Sequence, residues 1–307
     1  MNAGARAVVI VSGGDAISPF TTPSGGCGRG LSAGSTDTGL REGLLAAGFA
    51  VYTSPANAGP GPVTVDEGFG GFAEPPDQLP ESMTVNAVGP IDSAGEHLAA
   101  FLVHLHQNWG LESVSLVGHS MGGLFSRAAV RELAATAAGP RIHSLTTLGT
   151  PWEGSFAADF AIGDIPLTAA GGDHGTETVM TEFKATNDAA SSGAGEQVTH
   201  RYLAGPGGWN ERQAGLLDDI PVTLIGGDYF RLEGGSPDVW PHDGLVTVDS
   251  ALAEGTSAAV LPTRTTRTFP DVHSIFFADA FGLAWDRALT WDPAVLAAVV
   301  TSLRTPI

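Results

Sequence analysis

Lysine is almost missing from this 307-residue chain. Lys184 is the only one, and Lys and Arg together number 14 against 33 Asp and Glu, for a net charge of −19. Holding nucleic acid through its phosphates needs a basic face, and so few cations among so many anions leave no material for one. A polybasic membrane anchor is excluded on the same ground. Cysteine is nearly missing too: Cys27 stands alone, so the fold carries no intrachain disulfide. No apolar run approaches the roughly 18 residues of a membrane span. The first apolar run, Ala7 to Val11, is shorter than the roughly 7–15 residues of a signal-peptide core. Two compartments are compatible with this start: the cytoplasm, or secretion with the signal already removed. Charge is sparse, at 15% of residues, below the roughly 25% of ordinary domains. Hydrophobic residues make up 43%, which excludes a disordered chain. What the chain has in plenty is glycine, 42 residues, and with 20 prolines this predicts a globular protein with long loops.

Hydrophobic patterning organises the rest. Ala7 to Val11 (AVVIV) is a β-branched run that predicts a strand buried on both faces. A helix is expected over Thr38 to Ala47, stopped by Gly48, then a strand over Phe49 to Thr53. Residues 54–90 carry Pro and Gly throughout and read as one long loop. Asp92 to Gln107 sets Leu98, Phe101, Leu102 and Leu105 at helical spacing. A strand over Ser113 to Val117, a helix over Ser120 to Ala135 and a strand over Ile142 to Leu148 follow. Residues 152–218 break the alternation and read as an excursion before the strand Val222 to Ile225. Asp292-Pro293 marks the start of a last helix that runs to about Leu303. Strands separated by helices predict an α/β architecture: one domain over 1–307, a mostly parallel sheet covered on both faces, with 152–218 as a cap or lid insertion.

Two stretches match G-x-S-x-G, as an excess of glycine makes easy. Gly118-His119-Ser120-Met121-Gly122 follows a predicted strand and opens a predicted helix, the context a nucleophile elbow needs. Gly30-Leu31-Ser32-Ala33-Gly34 follows a Gly-rich loop and no strand. Ser120 is therefore the candidate nucleophile. Side chains at 118 or 122 would clash across the turn, and the helix start aims free N–H groups at the reacting centre. The Met121 N–H is then the expected first oxyanion donor.

With Val117 to Gly123 (VGHSMGG), Leu148 to Ser155 (LGTPWEGS) and Asp243 to Val246 (DGLV) in this order, the chain resembles the α/β-hydrolase family, and within it the bacterial lipases and esterases. Trp152 stands where many lipases have His, and there the chain is also similar to the lecithin–cholesterol acyltransferase branch. The family order is nucleophile, acid, then histidine. His97, His104 and His106 precede Ser120. His119 lies inside the elbow and is expected to point away; His143 begins a strand; His174 and His200 lie in the excursion. Of His242 and His273, the latter sits in a loop leaving a strand (FPDVHSI), where the resemblance places the base. Asp243, in HDGLV, is favoured as the acid over Asp228, which directly follows the strand VTLIGG. The second oxyanion donor is expected at Gly14, after the first strand, with Asp15 as its alternative.

Around these, Trp152, Phe156 and Phe160 are candidate substrate contacts, and Phe69, Phe72 and Pro75 a candidate opposite wall. The competing reading of the apolar patch at 156–167 is a small face packed on the body. Asp218-Asp219 could hold calcium, but no complete ligand motif accompanies them, and solvated loop charge is the favoured reading. CxxC, HExxH and P-loop motifs are missing, so no cofactor or metal is expected. The resemblance implies a serine carboxylic-ester hydrolase acting on a small-molecule or lipid ester. Acyl transfer, cleavage of amides, lactones or thioesters, or a non-catalytic binding protein of the same fold are the alternatives.

Overall fold

A computed structural model describes residues 7–24, 36–64, 78–189 and 194–304. Within them six strands make one wholly parallel sheet: β1 (Ala7–Val11), β2 (Ala50–Thr53), β3 (Ser113–His119), β4 (Arg141–Leu148), β5 (Val222–Gly227) and β6 (Arg264–Phe269). Their spatial order is β2-β1-β3-β4-β5-β6. The principal helices are α1 (Thr38–Ala46), α2 (Ile91–Trp109), α3 (Met121–Thr136), α4 (Phe156–Ala161), α5 (His174–Ala189), α6 (Ile275–Ala280) and α7 (Pro293–Arg304).

The uninterrupted apolar run of β1 follows from this layering. Successive side chains of a strand point to opposite faces. Val9 and Val11 join the core under α2 and α3, while Val8 and Ile10 join the core under α1 and α7. The first core takes Leu98, Phe101, Leu102 and Leu105 from α2 and Leu124, Phe125 and Ala128 from α3. The second takes Leu40 and Leu44 from α1 and Val295, Val299 and Leu303 from α7. Helix ends follow their local chemistry. The left-handed Gly110 closes α2, and its N–H donates to the Leu105 carbonyl. Asp292 caps α7 by accepting from the Ala294 N–H at 2.7 Å.

Two of the expected elements differ in the structure. The helix after the nucleophile turn starts at Met121 and not at Ser120, whose backbone lies outside the helical region. The long loop 54–90 contains a short parallel pairing of Ala56–Asn57 with Val85–Asn86. Ser32 and the predicted wall residues Phe69, Phe72 and Pro75 lie outside the described residues.

Connectivity places the site. From β1 the chain runs outward to β2, then returns to β3 on the other side of β1. In open parallel sheets the crevice beyond the strand ends at such a reversal is where ligands bind. Ser12-Gly13-Gly14 and the Ser120 turn leave these two strands side by side, since Val11 and Gly118 are register partners. The segment 152–218 lies between β4 and β5 and carries α4 and α5. Phe156, Ala157, Ala170 and Met180 of this segment pack with Val239 and Trp240 of the loop after β5. Among the described residues no helix is long and apolar enough to cross a membrane.

Candidate active site

Ser120 sits between the last residue of β3 and the first of α3 with φ 53° and ψ −131°. A non-glycine residue held there costs on the order of 1–3 kcal/mol. Three contacts hold it: the Ser120 N–H donates to the Leu148 carbonyl at 2.9 Å, the Gly123 N–H donates to the Ser120 carbonyl at 3.1 Å, and the Thr150 hydroxyl donates to that same carbonyl at 2.7 Å. Thr150 thus gives the LGTPWEGS stretch a physical role that the sequence left unstated. The small residues are required by close approach. A Cβ on Gly122 would stand 2.1 Å from the Val11 carbonyl oxygen at the end of β1, and one on Gly118 would stand 2.6 Å from the Gly123 nitrogen.

The structure brings Ser120, His273 and Asp243 into one line. The Ser120 hydroxyl lies 2.9 Å from His273 Nε2, and His273 Nδ1 lies 2.7 Å from Asp243 Oδ2. Asp243 Oδ1 accepts from the Leu245 and Val246 N–H groups at 3.0 and 2.8 Å, and the Asp243 carbonyl accepts from the His273 N–H at 2.7 Å. All three side chains are buried, Ser120 with 8% exposure, His273 with 3% and Asp243 with none. Asp228 is placed elsewhere. Its carboxylate meets the guanidinium of the exposed Arg231 at 2.5 Å, away from His273 Nδ1.

His119 differs from expectation. Its ring lies 4.9 Å from that of His273, and its Nε2 is 2.9 Å from the His273 carbonyl oxygen. Burial, reinforced by His273, pushes its pKa down to about 3. A neutral imidazole there donates its Nε2–H to the His273 carbonyl. Nothing in a G-x-S-x-G match signals this contact.

Gly13 and Gly14 lie against the nucleophile turn. A Cβ on Gly13 would stand 2.6 Å from Ser120 Cβ, and one on Gly14 would stand 3.1 Å from Met121 Sδ. Ser12 leads into this pair and donates its hydroxyl to the buried Asp37 carboxylate, just before α1. Asp15 follows with φ 56°. As the first residue of α3, Met121 has an N–H with no intrahelical partner.

The structure places the expected substrate contacts Trp152, Phe156 and Phe160 in apolar clusters. Trp152 has no exposed surface; its Nε1–H donates to Thr147 at 3.0 Å, and the Arg127 guanidinium covers its ring at 4.1 Å and the Trp209 ring at 4.7 Å. It is a core residue. Phe156, 2% exposed, and the partly buried Phe160 pack inside the insertion's apolar cluster, which is the small packed face of the competing reading. Asp218 and Asp219 are exposed, and among the described residues no group of three or more His, Cys, Asp or Glu is placed to hold a metal ion.

The loop carrying His273 also contains a strained acid. Asp271 has no exposed side chain, and burial followed by the neighbouring Asp292 carboxyl pushes its pKa up to about 8, with Arg287 opposing at 4.0 Å. A carboxyl that binds its proton more tightly folded than unfolded loses stability for the fold as pH rises from about 4, its unfolded value, to about 8. Asp271→Asn should therefore raise Tm at pH 8 and leave it nearly unchanged at pH 3. Parallel thermal melts check this, and an equal shift at both pH values would contradict it.

Comparisons with known proteins bear on the fold and the family. The family described as "Putative serine esterase (DUF676)" matches residues 81–162, which include α2, β3, Ser120 and β4. A triacylglycerol lipase of Pseudarthrobacter phenanthrenivorans and one of Burkholderia plantarii are each 42% identical over 72 residues, 24% of this chain. That stretch spans only 21% and 18% of those two relatives. A Bacillus licheniformis lipase in its mature form superposes with a TM-score of 0.55 and 15% identity over 97% of this chain and 93% of its own. Its propeptide form gives a TM-score of 0.54 and 15% identity over 98% of this chain and 51% of its own. The chain has the α/β-hydrolase fold, is similar to serine esterases over residues 81–162, and is similar to triacylglycerol lipases over a 72-residue stretch.

Proposed function

We propose that this protein is a serine carboxylic-ester hydrolase that works through an acyl-enzyme. The observation that carries the reading is the continuous hydrogen-bond line from the Ser120 hydroxyl through His273 to Asp243, at 2.9 and 2.7 Å. A serine hydroxyl is a weak nucleophile until a base within hydrogen-bond reach takes its proton. His273 Nε2 is that base. Asp243 holds the proton on Nδ1, leaving Nε2 free to accept, and stabilises the imidazolium that forms.

Ser120 Oγ attacks the ester carbonyl and its proton passes to His273. The tetrahedral oxyanion is bound by the Met121 N–H and, from the loop after β1, by the Gly14 N–H, with Asp15 the neighbouring alternative. His273 then protonates the departing alcohol, leaving an ester on Ser120. Water, deprotonated by His273, attacks that ester and releases the acid. Every step uses groups on this chain, so the mechanism needs no cofactor. The packing of Phe156 and Met180 against Val239 and Trp240, just ahead of Asp243 in the chain, supports reading 152–218 as a cap. A neutral small-molecule or lipid ester is the substrate class.

Hydrolysis of p-nitrophenyl esters of increasing acyl length is the test. The expected result is nitrophenol release at least about 10⁶-fold above the uncatalysed rate for some chain length. A short-chain optimum assigns an esterase and a long-chain optimum a lipase. A folded protein inert on the whole series would overturn the reading in favour of a binding protein.

A further inference from the structure

The residue before the acid is built into the site as firmly as the acid itself. His242 is 1% exposed and enclosed by three aromatic rings: Phe230 stacks at 5.0 Å and 16°, with Phe156 at 4.7 Å and Trp240 at 4.6 Å. Phe156 belongs to α4, so the insertion supplies one wall of this box. The ring's two nitrogens are both used. Nδ1 is 2.9 Å from the Gly244 nitrogen, and because that N–H can only donate, Nδ1 accepts. Nε2 is 3.2 Å from Thr176 Oγ1 on α5. The Thr176 hydroxyl proton goes to Asp173 Oδ1 at 2.8 Å, so Thr176 Oγ1 accepts from His242 Nε2–H.

These roles form one ordered chain: Gly244 N–H to His242, His242 to Thr176, Thr176 to Asp173. It requires a neutral imidazole. Burial, against the opposing pull of Asp243 and Asp173, moves the His242 pKa down to about 4. The upper end of the chain is the turn that shapes the acid. Gly244 lies between Asp243 and the Leu245 and Val246 N–H groups that hold Asp243 Oδ1, at φ 113°. The main chain of His242 is pinned as well, exchanging hydrogen bonds with Phe230 at 3.0 and 3.1 Å. The lower end is Asp173, which also accepts from the Thr176 N–H at 2.8 Å in the first turn of α5.

We propose that His242 is a positioning residue that ties the turn bearing Asp243 to the insertion, so that the orientation of the acid depends on α5 being docked. This rests on the reading of Asp243 as the acid of the triad. His242 touches neither Ser120 nor His273 in this arrangement and acts only through Asp243. The insertion is thereby more than a cover: its seat on the body and the alignment of the catalytic line are one structural event.

The test compares His242→Phe, His242→Asn and Thr176→Val in the full chain by kcat, KM, thermal melting and the rate at which a fluorophosphonate labels Ser120. Phe keeps the ring stack but supplies neither nitrogen. Asn places its Oδ1 close to where Nδ1 stands and can still accept from Gly244. Expected is a fall of about 10- to 100-fold in kcat and labelling rate for His242→Phe, since misplacement of a supporting group costs that much. KM should stay within about twofold, because ground-state binding is untouched. His242→Asn should recover most of the loss, and Thr176→Val, which keeps the ring and the Gly244 bond, should show a smaller fall of the same kind. Wild-type kcat and labelling rate in folded His242→Phe would overturn the proposal. So would equal losses in the Asn and Phe variants that track their melting temperatures, the mark of packing alone. Should His242→Phe fail to fold, Thr176→Val decides: unchanged kcat and labelling rate there would overturn the tie to the insertion. Asp243→Asn in the same series separates the two readings. If it keeps wild-type kcat, the triad assignment itself falls; if it alone loses kcat, only the positioning role falls.

Discussion

Asp243→Asn should lower kcat by about 10³- to 10⁴-fold and leave KM and the fold nearly intact. The direction follows from proton bookkeeping at one nitrogen. Asp243 Oδ1 accepts two main-chain N–H groups, from Leu245 and Val246. An asparagine keeps those bonds only by placing its carbonyl oxygen there, which turns its NH2 toward His273. His273 Nδ1, 2.7 Å from Asp243 Oδ2, would then have to accept rather than donate. The ring proton moves to Nε2, and a protonated Nε2 cannot take the proton of Ser120. Because the amide is nearly isosteric and both main-chain bonds survive, the melting temperature should change little. Asp228→Asn is the matched control. Its partner Arg231 is exposed, and a pair of that kind is worth about 0–1 kcal/mol. Wild-type kcat in Asp243→Asn, or a large loss in Asp228→Asn, would reverse the assignment of the acid.

Ser120→Ala should cost more, about 10⁶-fold in kcat, because it removes the only atom that carries the acyl group. Its structural cost should be small. Alanine bears the same backbone strain at φ 53° that serine bears, and the main-chain contacts of residue 120 to Leu148, Gly123 and Thr150 do not involve the hydroxyl. Only the 2.9 Å bond to His273 is lost, a net contribution of about 0.5–1.5 kcal/mol. Activity and stability therefore part company at this position. A melting temperature close to wild type with hydrolysis gone is the expected pair of results, and a variant that unfolds or still turns over would contradict the account of residue 120.

Much of this was legible in the sequence because the central strands are buried on both faces. AVVIV announces itself as an apolar run, SVSLV sets Val and Leu among serines, and the strand-to-helix context around Ser120 separates it from the matching Ser32 stretch. What stayed hidden has physical reasons. β6 reads RTTRTF, an edge strand with half its residues turned to solvent, so no apolar run marks it. Helix α5 buries little more than Thr176 and Met180, so its apolar stripe is too thin to see. Trp152 lies in LGTPWEGS, two residues after the Thr150 that braces Ser120, yet a motif match does not decide which way an indole points. Its burial depends on Arg127 and Trp209, which are distant in sequence. The sequence leaves His119 inside the elbow, expected to point away, and passes over His242 for His273 on the family's loop position. The structure finds both bonded to the main chain around Ser120, His273 and Asp243, a role set by tertiary contacts that spacing does not encode.

The central claim is covalent, and mass spectrometry of the protein quenched during turnover of a p-nitrophenyl ester tests it most directly. The account predicts a mass increase equal to the acyl group, carried by the peptide containing Ser120 and missing in Ser120→Ala. An acyl group on any other residue, or turnover by Ser120→Ala at the wild-type rate, would contradict it.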